Sequence, residues 1–156
     1  MALSNFEIDE IATKLKLPIV GVFCKDELPS PDKPRRQIGS YYVNLQSSKD
    51  GDGTHWTMFR IFEDHTAIYF DPFGLPPPQQ VVSYLEQFKP LASSNRQIQD
   101  VKSHNCGYYC MNCDWYFTYD ATKGRPTDEC FDDYLNVWSY DPKKNDKILK
   151  EYFNKY

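Results

Sequence analysis

The sequence predicts an α+β domain. Short β-branched and aromatic runs, spaced as strands, fill the first two-thirds of the chain. Segments with helical spacing surround them, and breaks rich in proline, glycine and charge separate the two kinds of run. Strands and helices that segregate in this way pack as an α+β layer structure. The 156 residues fit a single domain, 1–156, because domains run to about 100–200 residues.

The elements follow in chain order. Ser4-Asn5-Phe6-Glu7 reads as a capping box, with the Ser4 hydroxyl accepting from the backbone and Glu7 reaching back. Phe6, Ile11, Ala12 and Leu15 then mark a helix to about Lys16, and Pro18 ends it. Ile19 to Phe23 is a strand. Residues 26–36, with three prolines and many charges, form a loop. Tyr41 to Gln46 is a strand and Ser47 to Thr54 a turn. His55 to Phe62 and Thr66 to Phe70 make a hairpin across Glu63-Asp64-His65. Gln79 to Lys89 is helical, ended by Pro90, and Arg96 to Val101 is a short strand by pattern. Asn105 to Tyr119 is a long aromatic helix. Thr127 to Val137 is another, capped by Thr127. A last helix starts with Asp141 as N-cap and Pro142 at its first position.

Composition excludes several classes. The 18 Lys+Arg against 22 Asp+Glu give a net charge of −4, which argues against a globally basic nucleic-acid binder. An aromatic fraction of 16% is foreign to disordered chains and supplies a core. No apolar run approaches the roughly 20 residues of a membrane helix. Met1 to Lys14 carries Glu7, Asp9 and Glu10 and lacks the layout of a signal peptide. Five cysteines, an odd number, fit a reducing compartment better than a disulfide framework.

Three residues suit thiol catalysis. His55 starts one hairpin strand and Asp71 ends the other, so a turn centred near Glu63 faces them across the ladder. An Asp there fixes the imidazole tautomer and leaves the other ring nitrogen to act on a thiol. Cys106 opens a helix, where the macrodipole and a neighbouring imidazolium favour a thiolate. Gly107 leaves room for a substrate carbonyl, and the Gln99 amide supplies a second oxyanion donor beside the Cys106 N–H. A competing site is a zinc cluster of Cys106, Cys110 and Cys113 with His104. No second ligand pair exists for a zinc knuckle, so core packing is the favoured reading of Cys110 and Cys113. His65 and His104 read as solvated loop residues.

Gly53-Thr54-His55-Trp56, Tyr69-Phe70-Asp71-Pro72-Phe73-Gly74, Gln97-Ile98-Gln99 and Asn105-Cys106-Gly107, in that order and spacing, resemble the adenovirus-type cysteine proteases (adenains). Related enzymes occur in virophages and Polinton/Maverick elements, and the ubiquitin-like-protein proteases are more distant relatives. Gly21-Val22-Phe23 and Lys25-Asp26-Glu27-Leu28-Pro29 extend the likeness toward the start.

The resemblance implies a central, mostly antiparallel sheet flanked by helices, with the nucleophile at the N-terminus of a buried helix. It implies His55 as general base, Asp71 as its orienting acid, Cys106 as nucleophile and Gln99 as oxyanion donor, with Trp56 packed against the imidazole. It also implies a monomeric endopeptidase that cleaves capsid precursors beside small residues such as Gly, in the virion or the virus factory. Asp71 stands where adenovirus enzymes carry Glu, as in the cellular relatives. No cysteine lies between Gln79 and Asn105 to receive a disulfide-linked activating peptide, and the acidic balance argues against a DNA cofactor. The sequence thus requires no cofactor, and Lys33, Arg35 and Arg36 leave room for only a weak DNA contact. The alternatives are an isopeptidase for ubiquitin-like modifiers and a non-catalytic interaction module.

Overall fold

The structure, a computed structural model, describes residues 2–28, 38–45, 55–89 and 91–154. The expected loop with Lys33, Arg35 and Arg36 and the expected turn at 47–54 lie outside them. Helix α1 (Asn5–Lys14) begins with the capping box read from the sequence. Ser4 Oγ accepts from the Glu7 N–H at 3.1 Å, and Glu7 returns the contact to the Ser4 N–H at 3.0 Å.

The sheet has five strands in the order β1 (Ile19–Cys24), β2 (Gly39–Asn44), β3 (Trp56–Ile61), β4 (Ala67–Phe70) and β5 (Leu91–Ser93). The central pairs β2–β3 and β3–β4 are antiparallel, and the edge strands β1 and β5 each pair parallel with their neighbour. Both faces are covered. Tyr41, Val43, Phe59, Ile61 and Tyr69 pack against helix α2 (Gln79–Leu85) through Val81, Tyr84 and Leu85. Tyr42, Met58, Ile68 and Phe70 face the opposite way, against α1, α3 (Cys106–Trp115), α4 (Thr127–Asn136) and α5 (Asn145–Phe153). The period of two along each strand sorts the side chains between these layers.

Several expectations need correction. The stretch Arg96 to Val101 is not a strand. The Ile98 and Gln99 N–H groups both donate to the Pro72 carbonyl at 2.9 Å, so neither is available to a ladder. The fifth strand lies earlier, at Leu91–Ser93. Thr127 does not cap α4; it is the first helical residue, and its hydroxyl bonds Thr66 at 3.1 Å. The last helix is preceded by a 3₁₀ turn, Pro142–Lys144, and it is this turn that Asp141 caps. Helix α3 passes into a single π turn at Tyr116–Asp120 instead of continuing as one α-helix to Tyr119.

The hairpin is centred one residue later than expected. The Phe62 N–H donates to the Thr66 carbonyl at 2.9 Å, and His65 closes the three-residue loop at φ +65°. Phe59 therefore pairs with Tyr69, and Met58 with Phe70. The ladder so registered faces Thr57, not His55, toward Asp71. The shift is two residues, so the face is preserved and His55 and Asp71 become diagonal neighbours.

Candidate active site

His55 lies one residue before β3 and Asp71 one residue after β4, so both sit at the rim of the sheet. Their side chains meet: His55 Nε2 is 2.7 Å from Asp71 Oδ1. Asp71 is fully buried and His55 is 15% exposed. A carboxylate only accepts, so Nε2 carries the proton in this contact and Nδ1 remains for the thiol. Burial of the imidazole lowers its pKa, but hydrogen bonds and charge from Asp71 and Cys106 outweigh burial and raise it to about 9. The triad members expected from the sequence are therefore brought together.

The Asp71-Pro72-Phe73-Gly74 segment is the hub. Asp71 Oδ1 also accepts from the Phe73 N–H at 2.8 Å, and the Asp71 carbonyl accepts from the Gly74 N–H at 2.8 Å. This locks a tight turn that aims the carboxylate. Gly74 has φ +74°, and a Cβ there would lie 2.5 Å from the Arg96 backbone, so both conformation and space demand glycine. Ser94 fixes the Asp71 backbone from the other side, accepting from its N–H and donating to its carbonyl. The two N–H bonds to the Pro72 carbonyl then tie Gln99 to the same turn.

Cys106 is the first residue of α3 and is buried. Helix geometry gives first-turn N–H groups no acceptor within the helix, so this end favours a developing anion. The Cys106 thiol accepts from the Trp56 N–H at 3.4 Å, and the Cys110 thiol donates to the Trp56 carbonyl at 3.5 Å. One residue of β3 thereby registers α3 on the sheet. Gln99 is also buried, with its amide Nε2 donating to the Ser103 carbonyl at 2.9 Å. An amide NH₂ has two donors, so this bond leaves one for a substrate oxygen.

Two expected roles change. The ring stacked on His55 is Phe73, at 4.4 Å between centroids, not Trp56. The Trp56 indole instead donates to the Leu3 carbonyl at 2.7 Å and pins the start of the chain. Gly107 is small for packing, not for a substrate. A Cβ on it would lie 3.1 Å from Leu3 and 3.4 Å from Ile8.

The zinc alternative is not assembled. Cys110 and Cys113 are buried thiols with pKa values pushed well up by burial, and His104 is exposed. Among the described residues, the ligand-type atoms that converge belong to Cys24, Asp26 and Glu27, within 4.8 Å. Burial and Glu27 push the Cys24 thiol up to about 11, which opposes metal binding as thiolate. The sequence reading missed Phe73 and Ser94. Phe73 was visible inside its motif, whereas Ser94 had no local signal. A cavity of about 650 Å³ lies at the other end of the hairpin, around Arg60, Asp64 and Thr127, away from Cys106.

The chain matches no protein-family model and no curated protein by sequence. Its structure is similar to that of the ASFV pS273R protease, with 17% identity, a TM-score of 0.52, and coverage of 83% of this chain and 64% of that one. The likeness extends to the central domain of the uncharacterized Lpg1148 protein from Legionella pneumophila, at 12% identity, TM-score 0.47 and coverage of 99% and 96%. It extends also to the SUMO protease Ulp1, at 18% identity, TM-score 0.37 and coverage of 58% and 47%. The first of these shows that the chain shares the α+β fold of pS273R. The match spans 64% of the length of pS273R.

Proposed function

We propose that this chain is a cysteine endopeptidase that uses Cys106, His55, Asp71 and Gln99. The observation that carries the reading is the hydrogen-bonded series Asp71–His55–Cys106, closed at the N-terminal end of α3. Cys106 Sγ attacks the scissile carbonyl after its proton has passed to His55 Nδ1, whose raised pKa favours the imidazolium. Asp71 stabilises the imidazolium through Nε2. The tetrahedral oxyanion is held by the Cys106 N–H and the second N–H of the Gln99 amide. His55 then returns the proton to the leaving amine, and a water activated by His55 hydrolyses the thioester.

The substrates in this reading are capsid precursor proteins, cut beside small residues such as Gly during virion maturation in the virion or virus factory. The support for this is the motif resemblance, together with a fold shared with a viral protease. In this reading the chain acts as a monomer. The test is cleavage of capsid precursors by the wild type and by Cys106→Ala, run beside ubiquitin-like vinyl-sulfone probes. Cleavage that disappears in Cys106→Ala supports the reading. Reaction with the modifier probes alone points to an isopeptidase, and reaction with neither points to a non-catalytic module.

A further inference from the structure

Cys106 and Gln99 are joined by one loop, and α5 holds that loop at two points. Asn145, the fully buried first residue of α5, donates from Nδ2 to the Ile98 carbonyl at 2.9 Å, next to Gln99. The same amide is fixed in place by Ser139, whose carbonyl accepts from Nδ2 at 3.0 Å and whose N–H donates to Oδ1 at 2.9 Å. Asp146, the next residue, accepts from the Ser103 hydroxyl at 2.9 Å and from the Tyr109 hydroxyl at 2.8 Å, both on Oδ1. Burial and this contact raise the Tyr109 pKa, so the phenol stays a donor.

Ser103 is where these restraints converge. Its hydroxyl, oriented by donating to Asp146, accepts from the Asn105 N–H at 3.2 Å, immediately before the nucleophile. Its carbonyl accepts from the Gln99 amide at 2.9 Å. Its own N–H closes a turn onto Asp100 at 2.9 Å. One serine thus sets the direction of the Gln99 amide and the lead-in to the first turn of α3, and one carboxylate sets the serine.

We propose that Asp146 is a positioning residue for the oxyanion pocket, acting through Ser103 on the Gln99 amide and the Cys106 N–H. The inference rests on the protease reading above. It assigns Asp146 no contact with substrate. Donors that miss the developing oxyanion by a fraction of an ångström lose much of their effect, and a misplacement of about 1 Å can cost on the order of 10²-fold. The loss falls on the transition state, so kcat drops while KM holds.

The test separates the pocket from the thiol. A peptide aldehyde ending in Gly-glycinal binds by forming a bond from Cys106 Sγ to the aldehyde carbon. The carbonyl π bond opens, and the thiol proton passes through His55 to the oxygen that lies in the pocket. Iodoacetamide alkylates the same sulfur with loss of iodide and uses no oxyanion pocket. In Asp146→Ala and Ser103→Ala, aldehyde affinity and kcat on the matching Gly-Gly aminomethylcoumarin peptide should fall together, by about 10- to 10²-fold. KM and the alkylation rate should stay within about two-fold. Asp146→Asn, which keeps an acceptor oxygen, should recover most of the loss. Ser103→Ala leaves the Asp146–Tyr109 contact intact and so guards against a general loss of folding. Parallel loss of aldehyde binding and alkylation, or no change in either, would overturn the inference. A wild type that binds no aldehyde and whose Cys106 resists iodoacetamide would overturn the protease reading beneath it.

Discussion

Two buried acid–base pairs lie where β3 and α3 meet, one near each end of the helix. At one end, His55 precedes β3 and meets Asp71 beside Cys106, the first residue of α3. At the other, Arg60 of β3 meets Asp114 near the end of α3 at 2.9 Å. Both carboxylates are fully buried, yet their surroundings differ. Asp114 Oδ1 accepts from Ser40 at 2.5 Å and from Arg60, and Oδ2 accepts from Tyr42 at 2.6 Å. Arg60 also donates to the Asp114 carbonyl and to Thr118, within the π turn. Burial raises the Asp114 pKa, and Arg60, Ser40 and Tyr42 offset part of that rise. Every polar atom of this carboxylate is matched, and the guanidinium cannot give up its proton. At the Asp71 end, Oδ2 is buried with no hydrogen-bond partner among the described residues, and the base can exchange its proton with a thiol. The two ends thus differ in whether a proton can move within the pair.

Substitutions can break this contrast, and the largest effect separates the two ends outright. Cys106→Ala should abolish peptide cleavage while costing about 1 kcal/mol of stability in urea unfolding. Asp114→Ala strands Arg60 in the core and should cost about 3–5 kcal/mol. If Asp114→Ala unfolded no more easily than Cys106→Ala, the structural role of that end would be wrong. Next in size is Gln99→Ala. Losing one oxyanion donor should lower kcat by about 10²–10³-fold, and losing its buried bond to the Ser103 carbonyl should cost about 1–3 kcal/mol in unfolding.

The pH dependence sharpens the contrast further. Folding raises the His55 pKa from 6.5 to about 9. The stability this supplies is fully present below 6.5 and is lost as pH rises through 9. The wild type minus His55→Ala difference in unfolding free energy should therefore shrink between those values, and Asp71→Asn should move the decline to lower pH. A difference that grew with pH would contradict the assignment. The smallest effect lies away from both ends. Ser4→Ala removes the α1 cap and should cost about 1 kcal/mol with little change in kcat.

The convergence of His55, Asp71 and Cys106 was legible because its signals are local. A helix start after Asn105, an Asp-Pro turn and a hairpin each follow from neighbouring residues. The register was misjudged because its centre depends on His65 taking a left-handed conformation, which its flanking residues do not announce. The stretch Gln97-Ile98-Gln99 alternates like a strand, but its N–H groups are taken by Pro72, some 26 residues earlier. The Asp114 network was invisible for the same reason. Its partners Ser40 and Tyr42 lie 74 and 72 residues away, and nothing near Asp114 distinguishes it from a surface acid on an aromatic helix. Local chemistry can be read along the chain, whereas pairings made by tertiary packing cannot.

The central claim is that Cys106 is a nucleophile driven by His55. The most direct measurement is mass spectrometry of the folded protein after reaction with a Gly-Gly vinyl methyl ester peptide. The account predicts one adduct, on Cys106, absent in Cys106→Ala and formed far more slowly in His55→Ala, with buried Cys110 and Cys113 unlabelled. An adduct on another cysteine, or the same rate without His55, would contradict it.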